Sequence, residues 1–121
     1  METNVNNARG KAMTATLQEI SRDEAIQIIR KALKVRSGKA WSVKGGRGTS
    51  WGWIDISSPP ARCNEFGSMS EADRLELAQL LGLDVVHHQG VQVAASLKHR
   101  NEYVARAEGR TPEVLGEQYW D

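Results

Sequence analysis

Recognising a phosphate takes cations and recognising a base takes aromatic faces, and this chain places both in one stretch. Between Arg30 and Arg62 stand eight lysines and arginines (Arg30, Lys31, Lys34, Arg36, Lys39, Lys44, Arg47 and Arg62) against the single acid Asp55, a formal +7. The remaining eight basic and fourteen acidic residues leave −6, so the overall +1 conceals a split charge. Trp41, Trp51 and Trp53 interleave with these cations. Basic side chains neutralise phosphates, and aromatic rings stack bases at about 1–3 kcal/mol per base. The pattern predicts contact with DNA or RNA, with Lys34, Lys39, Lys44 and Arg47 on phosphates and Trp51 and Trp53 on bases. Two other readings compete. Tryptophans are mostly buried on average, which would make the rings core and the cations an ordinary solvated face. Trp and Arg are also enriched in interface hot spots, which makes a protein partner the main functional alternative.

Other chemistry finds less footing. Gly45-Gly46-Arg47-Gly48-Thr49-Ser50 superficially resembles a phosphate loop, but no lysine precedes the hydroxyl residue and a strand follows instead of a helix. A glycine-rich hairpin turn whose free N–H groups can touch a phosphate backbone is the better reading. Cys63, His87, His88 and His99 are the soft ligands, and no two show zinc-ligand spacing. The adjacent His87 and His88 are expected to point one inward and one outward. Cys63 has no local signature of a nucleophile. Asp84, Glu102 and Glu108 show no paired-carboxylate pattern, and Glu71, Asp73 and Glu76 are expected to serve the first turn of a helix. Lys98, Arg100, Arg106 and Arg110 alternate with Glu102 and Glu108, which predicts a salt-paired surface. Neither a catalytic set, a metal site nor a cofactor follows from these residues.

A chain of 121 residues is expected to form one domain with a core of its own. The single cysteine excludes an internal disulfide and fits a reducing compartment. No apolar run reaches membrane-spanning length, and the start lacks the apolar core of a secretory leader, so the expected location is cytoplasmic.

Residues 1–20 are polar and aperiodic, a flexible lead with at most a short helical turn around Met13, Leu17 and Ile20. Residues 21–121 are expected to form the domain. Ser21 and Glu24 have capping-box spacing, and Ala25, Ile28, Ile29, Ala32 and Leu33 make one helical stripe that Gly38 terminates. Lys39 to Lys44 and Trp51 to Ile56 alternate as two strands of a hairpin, the second stopped by Pro59-Pro60. If Ile54 and Ile56 face the core, Trp51 and Trp53 share the opposite face. A second helix follows Ser70 and ends at Gly82, and a strand or hairpin runs through Val85-Val86 and Val91 to Val93. A third helix runs from Ser96 to about Glu108, and Thr111-Pro112 begins a last short one. The order predicts an α+β fold: a small antiparallel sheet, the hairpin plus one or two further strands, with helices packed on it.

The stretch from Ala32-Leu33-Lys34 to Trp41-Ser42-Val43, then Gly52-Trp53-Ile54-Asp55-Ile56 and Pro59, resembles the large polyvalent protein-associated domains borne by plasmids and phages. In that family a helix with an A-L-K end leads to a strand ending F-S-V, a glycine-rich loop, and a strand closing on a proline. Trp41 stands here in place of the phenylalanine. The resemblance covers only this part of the chain and transfers no catalytic residue. It implies an accessory role in plasmid or phage biology. The resulting expectation is a non-enzymatic nucleic-acid-binding accessory module of mobile-element origin. The alternative is a protein-interaction module, such as an inhibitor of a host defence complex.

Overall fold

Ser21 and Glu24 start the first helix as their spacing requires. The Ser21 hydroxyl accepts the Glu24 N–H at 3.0 Å, and the Glu24 carboxylate accepts the Ser21 N–H at 2.9 Å. The computed structural model describes residues 17–116. Helix α1 runs Arg22–Ser37 and ends on Gly38, whose left-handed φ of 77° turns its N–H onto the Lys34 carbonyl. Ala25, Ile26, Ile29 and Leu33 are buried, while Ile28 and Ala32 are half-buried against the same core. Met13 and the rest of residues 1–16 lie outside the described residues, and residues 17–20 are not helical.

Three strands follow: β1 Ser42–Gly45, β2 Trp53–Ser57 and β3 Val91–Ala94, antiparallel in the order β1-β2-β3. Register pairs Val43 with Ile56 and Ile54 with Val93, so one face of the sheet is a continuous aliphatic surface. Lys44 lies opposite Asp55, and Asp55 opposite Gln92, on the other face. Helices α2 (Glu71–Leu81) and α3 (Leu97–Ala107) complete an α+β architecture in which the helices pack on the sheet. Ile29, Leu33, Val43, Ile54, Ile56, Leu77 and Leu81 form its fully buried centre.

Arginines close the helix ends. Arg36 Nη1 donates to the carbonyls of Leu80 at 2.8 Å, Ala107 at 2.8 Å and Arg106 at 3.2 Å, serving the C-termini of α2 and α3 together. Arg106 Nη1 reaches the Leu81 and Gly82 carbonyls, while its Nε pairs with Glu102 at 2.8 Å. The charge pattern predicts a salt-paired surface, but the Arg106–Glu102 pair is largely buried and the exposed Arg110–Glu108 pair lies just beyond α3. Unsatisfied carbonyls and the negative end of the helix dipole both favour a guanidinium there.

Several boundaries differ from expectation. The first strand begins at Ser42, because Lys39 turns aside to pair with α2. Val85 and Val86 lie outside any strand, and His87 only bridges Gly90 in a tight turn before β3. The segment after Thr111-Pro112 is not helical up to residue 116, since Gly116 cuts short the turns a helix needs. His87 and His88 are both exposed, because the turn breaks the strand alternation that would separate them. Asp73 lies in the first turn of α2 but turns its carboxylate toward Ser58, Lys39 and Arg62; Ser70 caps the helix alone.

Candidate nucleic-acid interface

Helix α1 lies beside β1, an edge strand, and the seam between them collects cations. Arg22, Ile26, Arg30 and Lys34 follow one another four residues apart and so form one row along α1. Arg30 Nη2 donates to the Val43 carbonyl at 2.6 Å, which covers part of the strand's open edge. Arg22, Arg30, Lys44 and Arg47 line a groove of about 440 Å³ with Ile26 on its floor and Asp23 as its one acid. Asp23 is exposed and lies 3.3 Å from Arg22. Lys34 is exposed and continues the α1 row beyond the groove.

The six residues expected to bind nucleic acid separate into four environments. Lys34, Lys44 and Arg47 are exposed and have no ion-pair partner among the described residues. Lys39 instead donates to Asp73 at 2.9 Å and Glu76 at 2.6 Å, and these bonds raise its pKa. Its charge serves the fold. Trp53 sits on the outward face of β2, half-buried and opposite Ala94.

Trp51 departs furthest from expectation. It lies before β2, at φ −57° and ψ −28°, closing a single 3₁₀ turn at Gly48–Ser50. Helical dihedrals end the strand alternation, so sequence spacing no longer places Trp51 beside Trp53. Its ring lies against α1, with the Arg22 guanidinium 4.4 Å from its centre. Arg22 Nη1 also donates to the Gly46 and Trp51 carbonyls, each at 2.8 Å. Gly45 makes room for this contact: a Cβ there would lie 2.5–2.9 Å from the guanidinium. Trp51 nevertheless remains 56 % exposed.

Trp41, by contrast, belongs to the core at 3 % exposure. Its indole N–H donates to Ser37 Oγ at 2.9 Å, and the cations of Lys39 and Arg62 approach its ring at 5.4 and 4.9 Å. Lys39 and Arg62 converge on Asp73, which also accepts the Ser58 hydroxyl at 2.6 Å. Burial pushes the Asp73 carboxyl up, but the hydrogen bonds from Ser58, Lys39 and Arg62 outweigh it and bring its pKa to about 2. The buried Ser58 hydroxyl is committed to this network.

Arg22 and Arg30 line the groove although neither is among the six residues expected to bind. Their signal is positional: both stand four residues from Ile26 in a row that ends at Lys34. No group of three or more histidine, cysteine, aspartate or glutamate side chains converges among the described residues. No described helix is long and apolar enough to cross a membrane. No protein-family model, curated protein or solved structure matches this chain.

Proposed function

We propose that the chain is a non-enzymatic nucleic-acid-binding module that holds a phosphate backbone in the groove between α1 and β1. The resemblance of its first helix and hairpin to plasmid- and phage-borne domains supports an accessory role in a mobile element. One observation carries the reading. Lys39 and Arg62 are neutralised by Asp73, and Arg36 closes two helix ends, but Lys44 and Arg47 meet Arg22 and Arg30 across a groove with one carboxylate. Cations gathered in excess of acids attract a polyanion, and each phosphate neutralised releases counterions.

The test is oligonucleotide affinity over a salt series. Affinity falls steeply as salt rises. Arg47→Ala and Lys44→Ala each reduce the logarithmic salt slope by about 1. Lys39→Ala leaves that slope unchanged, because its ammonium is already paired within the protein. No binding at low salt would overturn the proposal.

A second reading has its own support. Phe66 is 79 % exposed at the tip of a loop tied down by Asn64, whose side-chain oxygen accepts the N–H groups of Phe66 and Ser68, each at 2.9 Å. A large apolar side chain held out on an ordered loop is the form of an anchor for a protein partner. Phe66→Ala separates the readings: it leaves oligonucleotide binding intact and abolishes binding to a protein partner.

A further inference from the structure

The ring of Trp51 is held from one side and exposed on the surface beside the basic groove. We infer that Trp51 is a stacking platform for an unpaired base and that Arg22 positions it, so that the preferred ligand is single-stranded nucleic acid. This rests on the nucleic-acid reading above and adds to it the kind of strand. Duplex bases are already stacked on each other, so a lone ring at the rim of a groove has nothing to offer them. A single strand has free base faces, and one of them can continue the column that the Arg22 guanidinium and the Trp51 ring begin.

The geometry fits this role. Arg22 Nη1 holds the carbonyls before and after the 3₁₀ turn, at Gly46 and Trp51, so it fixes both ends of the loop that carries Arg47. Gly45 opens the space that the guanidinium fills. The Arg22 side chain is only 11 % exposed, which leaves the ring and not the cation as the surface offered to a ligand. Arg47 lies within the loop and Lys44 just before it, so phosphates flanking a stacked base meet both cations. Trp53 projects from the outward face of β2, opposite Ala94.

The experiment compares short single-stranded DNA and RNA with an abasic phosphodiester chain of the same length and with the corresponding duplex. The wild-type protein binds the single strands about tenfold more tightly than the abasic chain, the gain expected of one stacked base. The duplex binds like the abasic chain. Trp51→Ala removes the preference and retains the salt slope, while Trp51→Phe keeps part of the preference. Arg22→Lys conserves the charge but loses the planar guanidinium that lies over the ring and reaches both carbonyls, so it lowers the preference at unchanged slope. Circular dichroism confirms that each variant is folded. Equal wild-type affinity for single-stranded and abasic chains overturns base stacking while leaving the phosphate groove standing. A preference that survives Trp51→Ala also overturns it. Failure to bind any of the four overturns both. A higher affinity for RNA or for DNA identifies which strand supplies the base.

Discussion

At the scale of single residues, identical charges do different work according to what lies beside them. Lys39 and Arg47 look equivalent in the sequence. Lys39 is consumed by Asp73 and Glu76, whereas Arg47 faces solvent from a loop. Asp73 is the pivot of the paired set, because its side chain is buried and accepts from Ser58, Lys39 and Arg62. Its carboxyl titrates at about 2 in the folded protein, below the ordinary carboxylate range. The ionised form is thus favoured by folding. Stability from this group is present above about pH 4, where the unfolded carboxyl is ionised, and is lost as pH falls toward 2; the total is about 2 kcal/mol. Asp73→Asn lacks this contribution. Urea unfolding should show the wild type more stable near neutral pH, with the difference narrowing between about pH 5 and pH 2. A difference that stays constant over that range would show that the ion pairs at Asp73 contribute no stability.

At the scale of elements, the helices are held to one another partly through their ends. Arg36 belongs to the last turn of α1, yet its guanidinium accepts no part in that helix's own capping and instead donates to carbonyls of α2 and α3. A single nitrogen, Nη1, bridges both helices, held in place by the length and rigid plane of the guanidinium, whereas a lysine ammonium is shorter and more strongly hydrated. Arg36→Ala should cost about 1–3 kcal/mol, and Arg36→Lys should recover only part of it. Urea denaturation midpoints at constant slope measure both. The seam between α1 and β1 has the opposite character. There Arg30 closes one carbonyl of the edge strand, and Arg22 spans the loop that follows it. The strand edge is thereby covered by cationic side chains that outnumber the one acid beside them, Asp23, so one device limits strand pairing with other chains and leaves an anion-attracting groove.

At the scale of the whole molecule, two populations of charge respond differently to salt. The pairs Asp73–Arg62 and Glu102–Arg106 have carboxylates only 6 % and 9 % exposed, where mobile ions screen weakly. Lys34, Lys44 and Arg47 stand in solvent and are screened fully. Raising the salt concentration should therefore leave the urea midpoint nearly unchanged over a range in which oligonucleotide affinity falls by orders of magnitude, roughly 10³ if about six phosphates are engaged. Parallel unfolding and binding titrations on one preparation provide the check. A midpoint that falls in step with affinity would mean that the same charges hold the fold and the ligand.

The capping residues, the apolar stripe of α1 and the strand alternation through Ile54 and Ile56 were legible because each is a local rule: a side chain two or three residues away satisfies a backbone group, or a period of 3.6 or 2 gathers apolar side chains on one face. These determined the α+β class, helices α1, α2 and α3, and the hairpin. Local pattern misled where a contact distant in sequence decides the outcome. Trp51 reads as a continuation of β2, but a 3₁₀ turn gives it helical dihedrals and hands its ring to Arg22, twenty-nine residues away in sequence. Lys39 reads as one more phosphate ligand, but α2 brings Asp73 and Glu76 to it across the fold. The charge of a segment is a sum over sequence, whereas the charge available to a ligand is what remains after long-range pairing. Composition could therefore locate a basic stretch, while only the packing of α1 on β1 and of α2 against Lys39 and Arg62 decided which of its cations are spent and which line a groove.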